Sequence, residues 1–135
     1  MTDDAISIVA AVILDESRHV LLVRKRGTRA FIQPGGKIEP SEAPLEALRR
    51  EIAEELGSGC EFQAAIFLGR YRAPAANEAG RWVDALLYEV ALHGPVAIAA
   101  EIEELAWVDA GGPGPIELAP LTRDIVLPLV ASGRT

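Results

Sequence analysis

The segment GKIEPSEAPLEALRREIAEELGS, residues 36–58, is the most informative stretch of the chain. Its pattern predicts a helix over residues 42–56, with Ser41 as the N-cap, Pro44 in the first turn and Gly57 at the left-handed position after the last turn. At about 100° per residue one stripe of this helix is apolar, and we expect it to face the core. The stripe consists of Leu45, Leu48, Ile52 and Leu56.

A second face of the predicted helix carries Glu51, Glu54 and Glu55. Residues three and four apart are neighbours on a helix surface, so the three carboxylates repel one another unless cations lie among them. A set of ligands made only of oxygen favours Mg²⁺ or Mn²⁺ over zinc. A solvated acidic face is the alternative interpretation of the glutamates taken alone.

The whole segment closely resembles the Nudix box. Eight positions match the box: Gly36, Glu42, Arg50, Glu51, Ile52, Glu54, Glu55 and Gly57. Ser58 departs from it, because the box has an apolar residue at that place. The preceding QPGG, residues 33–36, and the later EELAWV, residues 103–108, are similar to the same family, so the resemblance covers most of the chain.

The resemblance implies a hydrolase that cleaves a diphosphate linkage in a nucleoside diphosphate joined to another group, with Mg²⁺ or Mn²⁺ as cofactor. It implies that Glu51, Glu54 and Glu55 bind the metal together with the backbone carbonyl of Gly36 or Gly35. Arg50 is expected to orient the carboxylates, and Glu42 to brace the loops around the helix. Gly35, Glu42 and Gly57 are thus structural positions of the box, whereas Glu54, Glu51 and Arg50 are catalytic candidates.

The general base lies, in some relatives, in a loop before a late strand. Glu101 is the first candidate because it precedes Trp107 by six residues, a placement similar to that in such relatives. Glu103 and Glu104 are alternatives, and all three are otherwise explained as solvated loop charges.

Substrate contacts are predicted from basic and aromatic residues. Arg24, Arg26 and Lys37 are candidate phosphate ligands, within a basic group that also contains Lys25 and Arg29. Four aromatics could stack on a nucleobase, Phe31, Tyr71, Trp82 and Tyr88, although core packing is the favoured explanation for each. Trp82, which follows a loop, is the first candidate for the stacking role. Pro74 lies sixteen residues after the box, and members that cleave ADP-ribose often have a proline at about that distance. The nucleobase and the second group are left open.

The remaining pattern predicts a single α/β (α+β) domain over residues 1–135, a mixed sheet between two helices in an α/β/α sandwich. Strands are expected at residues 5–14, 19–26, 61–72, 81–92 and 105–109, the first two forming an antiparallel pair. A closing helix is expected at residues 119–131, bent or ended by Pro128.

Composition excludes several classes of protein. The net charge of −7 disfavours nucleic-acid and membrane partners, and the single cysteine, Cys60, excludes an internal disulfide and a cysteine-rich zinc site. The acidic N-terminus and the absence of a long apolar run favour a cytoplasmic protein. The resemblance implies a small nucleotide as substrate; many relatives are homodimers, and the sequence leaves the oligomeric state open. Two alternatives are a catalytically weak nucleotide-binding or regulatory module and a Nudix-fold isomerase, which calls for a cysteine placed differently from Cys60.

Overall fold

The computed structural model describes residues 5–133 and residue 135. Its strands are β1 (Ile6–Val12), β2 (Val20–Lys25), β3 (Gly35–Lys37), β4 (Glu61–Pro74), β5 (Trp82–His93) and β6 (Ile102–Val108). Its helices are α1 (Pro44–Leu56) and α2 (Leu127–Ala131), and a π-helical turn (Thr122–Val126) leads into α2. Within residues 5–133 and 135, no helix has the length and apolar character needed to cross a membrane.

The strands form a mixed four-stranded sheet, in the order β3-β1-β5-β4, and a separate antiparallel pair, β2-β6. Strand β1 lies in the middle of the larger sheet, antiparallel to β3 and parallel to β5. The parallel register begins with Ile6 opposite Val83 and ends with Val12 opposite Glu89.

The predicted antiparallel arrangement of the first two strands is present only beside their connection, where Leu14 bridges Val20 and the N–H of Leu21 donates to the carbonyl of Ile13 (2.9 Å). It does not extend along the strands. Both hydrogen-bonding edges of β1 are already used, one by β3 and the other by β5. Strand β2 therefore pairs along its length with β6.

Two hydrophobic cores lie on opposite faces of β1, because successive side chains of a strand point to opposite sides. Val9, Ala11 and Ile13 belong to the core that α1 covers, together with Leu48 and Ile52 of that helix. Ala10 and Val12 belong to the other core, which contains Val126, Leu127 and Val130 of the C-terminal helical segment. The strands thus lie between two helical layers, and the predicted sandwich is confirmed.

Helix α1 differs from the prediction at its beginning. Ala43 is the N-cap and Pro44 the first helical residue, while Ser41 has φ 68° and lies in the preceding turn. The backbone N–H of Ala43 donates to Glu46 Oε1 (2.8 Å). The contact expected of a serine cap, a side-chain oxygen that accepts an N–H of the first turn, is not made, because alanine has no acceptor. The apolar stripe starts later than predicted, because Leu45 is 37% exposed.

The closing helix is not ended by Pro128. Proline has no N–H to donate to the carbonyl one turn earlier. The turn before Pro128 is π-helical, with hydrogen bonds between residues five apart in place of four. The N–H of Leu127 bonds the carbonyl of Thr122, and α2 continues through Pro128 to Ala131.

Candidate functional site

Helix α1 and strand β3 bring the box glutamates against the two glycines that precede Lys37. The N–H of Gly35 donates to Glu55 Oε1 (3.2 Å). A Cβ atom on Gly36 would lie 2.4 Å from Glu51 Oε2, so a side chain at residue 36 would occupy the space of that carboxylate. The absence of a side chain at Gly36 therefore leaves the carboxylate of Glu51 in its place, and any larger residue would displace it.

Arg50 organises the acidic groups around it. Its Nε and Nη2 donate to the two carboxylate oxygens of Glu42 (2.8 and 2.9 Å), and Nη1 donates to Glu51 Oε2 (3.1 Å). Nη1 also lies 3.7 Å from Glu54 Oε2, and Nη2 donates to the carbonyl of Lys37 (3.2 Å). Hydrogen bonds from Arg50 lower the pKa of Glu42 to about 2. The salt bridging expected of Arg50 is therefore present, and Glu42 anchors it.

Glu55 is a buried carboxyl group, only 4% exposed. Burial raises its pKa to about 8, and its contact with Glu51 adds to the rise, although the Gly35 N–H and the charge of Lys25 oppose it. Within the described residues Oε2 of Glu55 has no hydrogen-bond partner. A cation bound at the free oxygen would stabilise the charged form of this buried carboxylate and offset its repulsion from the acidic neighbour.

The box glutamates line one pocket of about 310 Å³. Its lining consists of Lys25, Glu51, Glu54, Glu55, Ala100, Glu101 and Ile102. Glu101, the preferred candidate base, thus lies in the same pocket as the predicted metal ligands. Glu103 and Glu104 pair instead with Arg26 and Arg24, each at 3.0 Å.

The residues present fit a hard divalent cation, although they are not gathered into a finished site. In the described part of the chain, no three His, Cys, Asp or Glu side chains are already arranged to hold a metal ion. Glu54 explains this, because its side chain is 54% exposed and turned toward Arg50. The all-oxygen donor set and the unpartnered Glu55 Oε2 favour Mg²⁺ or Mn²⁺ there, with Glu51, Glu54, Glu55 and the Gly36 carbonyl as predicted ligands.

A second, mainly apolar cleft of about 180 Å³ adjoins this carboxylate pocket. Lys25 lines both, and Lys37, Gly35 and Gly36 line the cleft from β3. Much of its remaining wall comes from β1, from the end of β4 and the loop that follows, from β5 and from the segment before α2, including Ile6, Ile8, Pro74, Val83 and Leu121. An apolar cleft beside a charged pocket suits a molecule with one flat apolar part and one anionic part.

The basic residues divide between the site and the neighbouring strand. Arg24 bonds Glu104 and the carbonyl of Thr28 (2.8 Å to the latter), and Arg26 pairs with Glu103. Lys25, which was not singled out from the sequence, lines both cavities. Alternation along the strand could have separated Lys25 from its neighbours, but not which face meets the site. Phosphate contacts by Arg24, Arg26 and Lys37 stay predictions.

The aromatic residues lie mostly away from the cleft. Trp82 is half exposed at the start of β5 and paired with Pro74 in the ladder, so the expectation that it packs in the core is wrong. Its stacking role stays a prediction. Phe31 is buried in the core, and Tyr88 lies against Phe67 with ring centroids 5.2 Å apart.

The chain is similar to known proteins over most of its length. A family model described as a NUDIX domain matches residues 5–126. The putative 8-oxo-dGTP diphosphatase of Bacillus subtilis (strain 168) is 32% identical over 102 residues, 74% of this chain and 64% of that protein. The 8-oxo-dGDP phosphatase NUDT18 of Homo sapiens is 46% identical over 57 residues, 40% of this chain and 18% of that protein. The matched part of the chain thus spans less than two thirds of either relative.

Solved structures give the same result. The crystal structure of a MutT NUDIX hydrolase from Burkholderia pseudomallei has a TM-score of 0.78 at 26% identity, covering 93% of this chain and 98% of that one. The resemblance seen in residues 36–58 is thereby confirmed.

Proposed function

The chain belongs to the NUDIX domain family, and from this premise we propose that it is a Mg²⁺- or Mn²⁺-dependent hydrolase that cleaves a diphosphate linkage in a nucleoside diphosphate or triphosphate. One observation carries the proposal: Glu51, Glu54, Glu55 and Glu101 line one pocket, which shares Lys25 with an apolar cleft. The pocket suits the diphosphate with its metal, and the cleft suits the nucleoside.

Each residue of the site has a role that follows from its surroundings. Glu51, Glu54 and Glu55 would hold the metal, which neutralises phosphoryl oxygens and lowers the pKa of bound water. Arg50 keeps Glu51 and Glu54 close together while their charges are uncompensated. Lys25, at the junction of pocket and cleft, supplies positive charge to a phosphate in a protein whose net charge is −7.

Glu101 is the proposed general base. It lies across the carboxylate pocket from α1, and its backbone carbonyl is fixed by the N–H of Arg26 (2.7 Å). A carboxylate held opposite the metal ligands can take the proton of an attacking water.

Oxidised guanine nucleotides are the first substrates to test, because relatives with similar sequences are named for 8-oxo-dGTP and 8-oxo-dGDP. A panel of 8-oxo-dGTP, 8-oxo-dGDP, the common triphosphates and ADP-ribose, each with Mg²⁺ or Mn²⁺, measures the activity by release of pyrophosphate, phosphate or monophosphate. If none of these compounds is hydrolysed, the proposal is contradicted and a nucleotide-binding module is favoured.

Glu54→Gln tests the metal role, because it keeps the size of the side chain and removes the charge. We expect kcat to fall about a hundredfold or more, since a lost ligand removes several kcal/mol of transition-state stabilisation. Glu61→Gln, at the exposed start of β4, is the matched control and should keep wild-type turnover. Turnover that survives both Glu54→Gln and Glu55→Gln would overturn the metal assignment.

Glu101→Gln tests the base. Loss of a general base costs typically 10²–10⁴-fold in rate, so we expect a fall in that range with little change in the magnesium concentration needed for half activity. Glu103→Gln removes only the partner of Arg26 and should lose much less. An equal loss in the two variants would contradict the assignment of Glu101.

A further inference from the structure

Gln33, just before the glycines of β3, is a buried residue with an incompletely used amide group. It is 4% exposed and lines the apolar cleft. Its Oε1 accepts a hydrogen bond from Thr122 Oγ1 (3.0 Å), and Thr122 is fully buried in the π-helical turn. Within the described residues Nε2 has no partner and almost no accessible surface.

A buried amide donor without an acceptor is rare, because the group has lost its hydration and gained nothing in return. The lining of the cleft is mainly apolar, with Ile8, Ile32 and Leu121 in it. Among the described residues, its acceptors Asn77 and Glu78 make no hydrogen bond to Nε2. The arrangement is therefore suited to a ligand that brings its own acceptor into the cleft.

The size of the cleft limits what that ligand part can be. Whole ligands commonly occupy pockets of about 300–1,000 Å³, whereas the apolar cleft has about 180 Å³. One ring system fits this space better than a complete nucleotide. Nε2 of Gln33 has almost no surface open to water. A ring reaches this donor only if it fills the cleft and displaces the apolar side chains that cover the amide group.

Thr122 fixes the polarity of the pair. Its hydroxyl hydrogen is used on Gln33 Oε1, so the amide presents an N–H donor and the hydroxyl oxygen can only accept further hydrogen bonds. A keto group next to a ring N–H is complementary to this donor and acceptor. In a base seated in the same orientation, an amino group next to a bare ring nitrogen sets donor against donor and acceptor against acceptor.

We propose that Gln33 is a specificity-determining residue, whose Nε2 donates to the keto oxygen of a nucleobase seated in the apolar cleft. The proposal rests on the proposed function, because it assumes that the substrate is a nucleotide. It selects bases of the hypoxanthine, guanine and uracil type over adenine and cytosine.

The inosine and adenosine triphosphates test the proposal directly, because they differ only in the keto and amino edges of the purine. We expect wild-type kcat/KM to favour inosine triphosphate by about tenfold or more, as one satisfied hydrogen bond in place of a mismatched one implies. Gln33→Leu should bring the ratio close to one. The melting temperature of Gln33→Leu is measured alongside, and Gln33→Leu combined with Thr122→Val removes both polar groups if the single variant is unstable.

Ile32→Val is the matched control, since it trims the neighbouring cleft residue without changing its polarity, and it should keep the wild-type ratio. A wild-type ratio near one, or a ratio unchanged by Gln33→Leu, overturns the proposal. Calorimetric binding of inosine and adenosine monophosphates separates this failure from that of the proposed function. If neither triphosphate is hydrolysed, but inosine monophosphate binds more tightly than adenosine monophosphate and Gln33→Leu removes the difference, only the hydrolase proposal fails. If neither monophosphate binds, the Gln33 proposal fails as well.

Discussion

At the scale of single residues, the two adjacent glycines of β3 have different duties. Gly35 has φ 147°, and a Cβ there would lie 2.1 Å from the carbonyl oxygen of Val9. At Gly36 the three atoms nearest to such a Cβ all belong to the carboxylate of Glu51, and no backbone atom is so close. Gly35 therefore allows β3 to pair closely with β1, and Gly36 leaves space for the carboxylate of Glu51.

Alanine at each position separates these duties. Gly35→Ala should lower the free energy of unfolding by about 2–4 kcal/mol, because neither backbone strain nor the clash with Val9 can be relieved. Gly36→Ala should leave stability nearly unchanged but reduce turnover strongly, because Glu51 is displaced. Denaturant unfolding and nucleotide hydrolysis measure the two effects, and equal losses of stability would contradict the division.

At the scale of secondary-structure elements, α1 is held to the sheet by a narrow set of side chains. Ala47, Leu48, Ile52 and Leu56 are buried in one core with residues of β1 and β2. The same helix carries the glutamates of the site, so its packing decides where those carboxylates lie.

Two leucines on this helix provide a matched test. Leu48→Ala should cost about 2–5 kcal/mol of the free energy of unfolding, because Leu48 is completely buried and a cavity remains. Leu45→Ala should cost less than about 1 kcal/mol, because Leu45 is 37% exposed. Urea unfolding compares them, and similar losses would show that the helix is packed differently.

Local sequence patterns predicted the elements well and their pairing less well. Helix α1 and the strand segments were found because their periodicity is set by neighbouring residues. The partner of β2 was missed, because the competition of β3 and β5 for the edges of β1 is settled by distant parts of the chain. The burial of Glu55 was missed for the same reason: helical spacing places three glutamates on a face, but the Gly35–Gly36 strand decides which one is covered.

At the scale of the whole molecule, the state of Glu55 is linked to the stability of the fold. Without metal its pKa is about 8 in the folded chain and near its usual 4.5 when unfolded. A carboxyl pKa raised by folding means that the native state holds the proton more tightly. Its contribution to stability is present below pH 4.5 and is lost as the pH rises toward 8.

Melting curves measured with and without magnesium test this linkage. Metal-free protein should lose melting temperature between pH 5 and 8, and Mg²⁺ should restore it most at the upper end. At a hundred times its dissociation constant the ion adds about 2.7 kcal/mol. Glu55→Gln, which cannot ionise, should show a flatter pH dependence and a much weaker response to Mg²⁺. A melting temperature indifferent to magnesium at pH 8 would contradict the metal site.

The parallel pairing of β1 with β5 also bears on how the chain reaches its native state. Ile6 pairs with Val83, which is far along the chain, so β1 and β5 can pair only late in folding. Strands β4 and β5 are joined by a short loop and can pair early. Contacts between distant parts of a chain form slowly, because a long loop must first close. During translation, β1 leaves the ribosome well before its parallel neighbour has been synthesised. Until β5 has been synthesised, the Ile- and Val-rich β1 has an unpaired edge, which favours aggregation of the nascent chain.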